Sequence, residues 1–512
     1  MSARASGAGK ALKIGTGFVT MAMVVAAFGY LGLVAPEQPV DTVTTDGSST
    51  SQLVSQQQLT AYCPARMTLP DAASYGDSEY QPSEGDIASA ARYAAFGAVY
   101  QSRFGAFADT SSQRTTLADS DPTDSSNVLV ASGDTNAGAT LFSTQLLEAA
   151  QGAGETAAVL SSASKGDLRG LSAASCQAPA LSHSFMISST KTGSTQQLIV
   201  ANPSAKATTV DVRAWGTTAR GPIVFSTGST LTVGAGSEST LDLSAAASGQ
   251  DALYVTVTSK ETPVAAVVRS VRMDGLTAKG SDWEVPLADA SNDATFPGLA
   301  EGDAVTLMLY AKTAGTVSTH WIGADSADSK NAADTTHEYR AGTVTVIDLA
   351  KAPKGAQGLS IESESDVSAA VRVVRSGADG QEDFALINPA QPAASTAIAI
   401  PDGAKARISV ISRSAKDSTV TLHAYDDQGK ALGSKDVELE TGKATSLNAA
   451  DIADGTIAVI TLDDGEETAW GARLSSDALD KAKVAGVAWL ASTSLMPRQE
   501  RVQAHRDMTI VR

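Results

Sequence analysis

Along the first third of the chain, apolar and polar positions alternate between three regimes. Residues 14–35 carry no charged side chain, and about 22 such residues suffice to cross a hydrocarbon core as a helix. Arg4, Lys10 and Lys13 precede this segment, and Glu37, Asp41 and Asp46 are the first charges after it. That asymmetry predicts a single-pass signal anchor with residues 1–13 cytoplasmic and the bulk of the chain extracellular. A cleavable signal peptide is the alternative, but the apolar run is long for one, and a cut after Ala35 would have Leu33 upstream and Pro36 next. Residues 36–62 are rich in Ser, Thr, Gln and Asp, which predicts a flexible stalk. Within residues 63–181, segments 87–100 and 144–151 have the spacing of short helices, whereas 127–131 and 139–142 suit strands, so this part is expected to be a small α+β domain.

From Ser182 onward, short runs of alternating Val, Thr, Ile and Ala are separated by Gly, Pro, Asn and Asp, the punctuation of an all-β fold. The runs recur in the same order about every 100 residues, which predicts repeats at 182–290, 291–392 and 393–497, followed by a basic tail at 498–512. Each repeat offers seven or eight short strands, as expected of an immunoglobulin-like β-sandwich. A six-bladed β-propeller, with two blades per repeat, accommodates the same number. The repeat size favours three tandem sandwiches, and the fold class is therefore mainly β.

The repeat gives its aromatics a meaning. Trp215, Trp321 and Tyr425 fall late in one strand of each copy, and Trp283, Phe384 and Trp489 close each copy. The first set is expected to fill the space between two sheets, and the second to plug the end of a sandwich or its junction with the next. A row of exposed rings stacking on sugars is the alternative. Arg269, Arg272, Arg372, Arg375 and Arg473 recur on a late strand, where hydrogen-bonding or ion-pairing roles are expected.

Composition narrows the chemistry. With 56 acidic against 38 basic residues and a net charge of −18, a nucleic-acid partner is disfavoured, because phosphate binding needs a basic face. The two cysteines, Cys63 and Cys176, both lie in the region expected to be exported, where disulfides persist. Pairing would contribute about 4–5 kcal/mol on the chain-entropy model; two separate buried thiols are the alternative. His183, His320, His337, His423 and His505 lack the spacing of a metal site, and no nucleophile elbow or P-loop occurs. No metal, cofactor or catalytic residue is assigned. A carboxylate pair assembled in space would escape such reading, although aromatics at 5% suit a glycosidase cleft poorly.

The order of features resembles an uncharacterised actinobacterial family of membrane-anchored extracellular proteins. The resemblance rests on the basic N-terminus and apolar segment, Cys63-Pro64, Cys176 ahead of Pro179, Asn202-Pro203, and the arginine-bearing strand leading to Asp282-Trp283. It departs at Ala488-Trp489, where the acid is missing, and at Ala311, where the Asn-Pro strand end is lost. The resemblance implies a location in a glycan-rich envelope and supplies no catalytic residues. Together these features lead to a non-enzymatic, membrane-anchored cell-envelope protein, a structural or protein-interaction scaffold that presents surfaces to the wall or to other envelope proteins. A cell-wall polysaccharide-binding module is the second reading, and an envelope hydrolase the third.

Overall fold

The computed structural model describes residues 49–70, 81–119, 128–325 and 334–505. The expected anchor at 14–35 lies outside the described residues, as do 506–512 of the tail. Among the described residues no helix is long and apolar enough to cross a membrane. The chain divides into two bodies, residues 1–54 with 501–512, and residues 55–500. In the smaller, β1 (Ser49–Ser55) pairs with the C-terminal strand Gln499–His505 as a two-stranded sheet. The latter half of the expected stalk and the start of the expected tail are therefore strand.

The larger body is built from four repeats, not three. The first comprises β2 (Gln58–Cys63), β3 (Ala88–Phe96), β4 (Val99–Ala106), β5 (Thr115–Asp119), β6 (Val128–Gly133), β7 (Thr140–Leu146), β8 (Gly154–Ala163) and β9 (Gly170–Ser175). The second comprises β10 (Ser182–Ile187), β11 (Ser194–Asn202), β12 (Thr208–Trp215), β13 (Thr230–Val233), β14 (Ser237–Asp242), β15 (Leu253–Ser259), β16 (Ala265–Asp274) and β17 (Thr277–Glu284). The third comprises β18 (Ser291–Pro297), β19 (Ala304–Ala311), β20 (Gly315–Ile322), β21 (Thr335–Tyr339), β22 (Val344–Lys351), β23 (Gly358–Ser376) and β24 (Glu382–Ile387). The fourth comprises β25 (Ser395–Ala399), β26 (Lys405–Ser412), β27 (Ser418–Tyr425), β28 (Ala431–Leu439), β29 (Ala444–Asn448), β30 (Val459–Asp463), β31 (Thr468–Ser475), β32 (Ala488–Ala491) and β33 (Thr493–Ser494).

One strand order recurs in all four. An opening sheet, which contains the first strand of the repeat, runs β2-β7-β4-β5, β10-β15-β12-β13 and, with β33 added at its edge, β25-β30-β27-β28. A closing sheet, which contains the last major strand, runs β6-β3-β8-β9, β14-β11-β16-β17 and β29-β26-β31-β32. In the third repeat the 19-residue β23 serves both sheets: its first half pairs with β18 and β20, and its second half with β19 and β24. In each of these sheets only one pair of neighbours is consecutive in sequence, so these are not the meandering blades that the propeller alternative requires.

Two corrections concern residues 63–181. Segments 87–100 and 144–151 are not helices: they contribute β3, the start of β4 and the end of β7. The region is a β repeat like the others. Its strands are Ala- and Ser-rich, as in ASAARYAAF and GETAAVLSSA, and small residues recurring every few positions imitate a helical stripe. Pairing of β3 with both β6 and β8 overrides that local preference.

The two sheets of a repeat enclose a core. In the second, Phe185, Leu198, Val200, Val210, Val212, Ala214, Val255 and Val268 meet in one buried cluster. The sheets' other faces join the repeats to one another. The opening sheet of the second repeat places Met186, Trp215 and Tyr254 against Met308, Tyr310 and Ala370 from the closing sheet of the third. Ile322 of the third meets Ile411 and Ala469 of the fourth. Tyr425, Ala397 and Val459 of the fourth meet Ala94, Phe96, Val128 and Val130 of the first. Tyr62 and Phe107 of the first share a cluster with Ala201, Ala265 and Val267 of the second. Each junction is thus head-to-tail, and after four repeats the series closes on itself.

Closing-sheet strands are consequently covered on both faces. Residues 264–268 are all buried, as are 369–371, which explains why these segments read as unbroken apolar runs without alternation.

Candidate functional site

The last strands of the four repeats converge. β9 touches β17 and β32, β17 touches β24, and β24 touches β32, so the four line a common centre. β9 and β32 carry no ionisable side chain, whereas β17 brings Asp282 and Glu284 and β24 brings Asp383. All three acids are buried.

Asp383 reaches across to two other repeats. Its Oδ2 accepts the backbone N–H of Leu171 on β9 and that of Val487 just before β32, each at 2.9 Å. Asp282 works in the same way: Oδ2 accepts from Leu386 N at 3.0 Å and Oδ1 from Ala173 N at 3.4 Å. Ser172 donates its hydroxyl to Ser281 O at 2.8 Å. Gln381 completes the centre, accepting from Ala485 N at 2.8 Å and donating to Ala485 O at 3.2 Å and Arg169 O at 3.4 Å. Backbone groups of converging strands cannot all pair in ladders, and these side chains satisfy them. The approach is close enough to require glycine: a Cβ at Gly170 or Gly280, both at positive φ, would lie 2.8 Å from Asp383 Oδ1.

Burial raises these carboxyls. Asp282 and Glu284 are each pushed up to about 8 by loss of solvent, against the opposing pull of backbone N–H donors. Asp383 is raised well above the ordinary carboxylate range by burial, with a further contribution from the charge of Asp282. Glu155, buried in the first repeat, is also raised to about 8 by burial, opposed by a hydrogen bond from Thr144.

The arginines bind the junctions. Arg473 pairs with Asp303 of the preceding repeat at 2.5 and 2.9 Å, both side chains being nearly buried, and donates to Gly298 O at 3.0 Å. Arg269 donates to Gln197 at 3.1 Å and to Thr68 of the preceding repeat. Arg272 lies over the ring of Phe384, 6.0 Å from its centroid. Arg372, lowered to about 10 by burial and by the nearby Arg272, donates to Thr306 at 3.4 Å. Arg375 stands opposite Asp383 in the ladder and is exposed.

The six aromatics sort differently from their order in sequence. Trp321 is in the core of its repeat. Trp215 and Tyr425 are half-buried at junctions with the following repeat, Trp215 with its ring 5.3 Å from Tyr310 and 5.6 Å from Tyr254. Trp283 packs with the first repeat, Trp489 with the third, and Phe384 beside Gly280 of the second. Every closing aromatic therefore leans on the preceding repeat. They form no exposed row.

Cys63 and Cys176 are bonded, joining the end of β2 to the chain just beyond β9 across 113 residues. His183 is buried with Nε2 2.6 Å from Val264 O, His320 Nδ1 is 2.6 Å from Asp334, His337 contacts Thr335, and His423 faces Asp463 at 3.4 Å. Among the described residues no group of three or more acidic, His or Cys side chains is placed to hold a metal. A cleft of about 400 Å³ between the first and second repeats is lined by Leu69, Pro70, Val271, Met273 and Leu276. A second, of about 250 Å³, contains Arg413, already bonded to Asp293. The buried acids of the centre escaped sequence reading because they lie about 100 residues apart; the one visible sign was the Asp-aromatic pair at Asp282-Trp283 and Asp383-Phe384.

A centre made of acids that cap backbone groups of neighbouring repeats defines a β protein closed by polar side chains, each repeat holding the next. The chain belongs to a family of unknown function (DUF5719), which matches residues 130–450, from β6 of the first repeat to just beyond β29 of the fourth. No curated protein matches it.

Proposed function

We propose that this chain is a non-enzymatic cell-envelope scaffold, tethered by residues 14–35 and carrying a ring of immunoglobulin-like sandwiches outside the cytoplasmic membrane. The observation that carries the reading is where the chemistry-bearing residues are used: Asp282, Asp383, Arg269 and Arg473 all bond across junctions between repeats. Side chains committed to assembly favour a rigid docking body over a catalyst. The uncharged N-terminal run with its basic flank favours the tether, and the Cys63–Cys176 bond suits an oxidising compartment.

Two measurements test it. Protease added to intact cells should degrade the region after residue 55, and protection of that region would overturn the location. Purified wall polysaccharide, titrated onto the full-length chain in mild detergent, should show no saturable binding; saturation would transfer the assignment to glycan recognition.

A further inference from the structure

Every repeat turns an arginine of its closing sheet toward the preceding repeat, and in three of the four that arginine bonds across the junction. Arg92 of the first pairs with Asp402 of the fourth and donates to Ile400 O at 3.2 Å. Arg473 of the fourth pairs with Asp303 of the third, and Arg269 of the second donates to Thr68 of the first. These acceptors all lie between the first two strands of the preceding repeat. Arg372 of the third is the exception. It projects from β23 on the face of Ala370, toward the second repeat, but the corresponding segment there, residues 188–193, reads Ser-Ser-Thr-Lys-Thr-Gly and holds no acid. Among the described residues Arg372 donates only to Thr306 of its own repeat, at 3.4 Å, and its buried Nε has no partner.

We propose that the junction of the second and third repeats binds a small carboxylate anion between Arg372 and Arg272, which plays the part that Asp303 and Asp402 play at two other junctions. Arg272, on β16 of the second repeat, supplies the other half of the seat. It lies over Phe384, 6.0 Å from the ring centroid, and makes no hydrogen bond among the described residues. Phe384 shares a face of β24 with Leu386, the ladder partner of Arg372, so the two guanidinium groups flank one ring. Burial lowers both arginines, and the charge of Arg272 lowers Arg372 further. The nearby acids are engaged elsewhere: Glu382 with Lys279 at 3.2 Å, Asp348 with Ala350 N at 2.9 Å, and Glu284 with Ser188 N at 3.3 Å. None of them pairs with either arginine. A carboxylate accepts two parallel bonds from one guanidinium, as Asp303 does from Arg473, and offsets the repulsion between two. Both arginines keep some exposure to solvent, which gives an anion a way in.

The test is the melting temperature of the full-length chain in mild detergent near neutral pH, with sodium acetate titrated against sodium chloride at equal ionic strength. Acetate is expected to give a saturating rise over chloride. Arg372→Gln and Arg272→Gln should each raise the acetate concentration at half-saturation about ten-fold, through loss of a charge-assisted pair. Arg407→Gln, at an exposed place on β26 of the fourth repeat, should leave it unchanged. Equal responses to the two salts overturn the proposal, as does a rise that never saturates or a saturating rise that survives Arg372→Gln. Where the variants do not fold, amide exchange of the unmodified chain decides. Acetate should then increase the protection of residues 267–274 and 366–376 over that in chloride and leave β26 and β31 as they were, and a gain of equal size in every repeat, or none, overturns the proposal.

Discussion

At the scale of single residues, the polar centre explains why acids occur in positions otherwise built from Ala, Val and Trp. Asp282 is retained in a buried place because Leu386 N and Ala173 N have no ladder partner there. Asp282→Ala is expected to leave both donors unsatisfied and to cost about 2–5 kcal/mol, measured by denaturant unfolding. A cost below about 0.5 kcal/mol would mean that water replaces the carboxyl. The aromatics show how one residue of register changes a role. Val210, Val212 and Ala214 face the core of the second repeat, and Val317, Thr319 and Trp321 that of the third. Trp321 is therefore the counterpart of Ala214, and Trp215 that of Ile322. The two tryptophans look equivalent in the sequence, but side-chain period two turns a one-residue offset into the opposite face.

At the scale of elements, the strand that ends in Trp215 is the docking strand of its sheet. Trp215→Ala should weaken the junction of the second and third repeats by about 2 kcal/mol, less than a fully buried tryptophan would cost, because Trp215 is half-buried. The core at Phe185 and Val255 should keep its amide protection; its loss would show that junction and core are not separable. The closing strands carry a second register lesson. Arg269 stands opposite Trp283, Arg473 opposite Trp489, and Arg372 opposite Leu386. Phe384 thus does not occupy the ladder place of Trp283, although both follow an aspartate. The disulfide acts between elements, since it ties the first strand of the first repeat to the exit of β9. Replacing Cys63 and Cys176 together by serine is expected to lower stability by about 4–5 kcal/mol on the chain-entropy model, with the loss of amide protection concentrated in the first repeat.

At the scale of the whole molecule, four acids share one consequence. Glu155, Asp282 and Glu284 are raised to about 8, and Asp383 is raised well above the usual range. Unfolded, such groups titrate near pH 4. Between those values the folded chain holds protons that the unfolded chain has released, so stability is fully present below about pH 4 and is lost as pH rises toward about 8. Asp86 and Asp293, lowered by hydrogen bonding and by Arg413, act in the opposite sense in more acidic solution. Melting temperature should therefore peak near about pH 4–5 and decline toward about pH 8. A rise over that interval would contradict the burial of these acids.

The features legible in the sequence were local or periodic: mainly β structure, the recurrence of strands from Ser182, and two cysteines suited to pairing. These follow from alternation, turn residues and composition, each of which acts over a few positions. The first repeat stayed hidden because its Ala-rich strands have no strong preference until β3 is flanked by β6 and β8. The closure of four repeats on one another is a property of the packed molecule. Closure depends on the faces that strands turn away from their own cores, and on acids whose partners are backbone N–H groups about 100 residues distant. An N–H group leaves no mark in a sequence, so the meaning of Asp282 and Asp383 appears only when the strands meet.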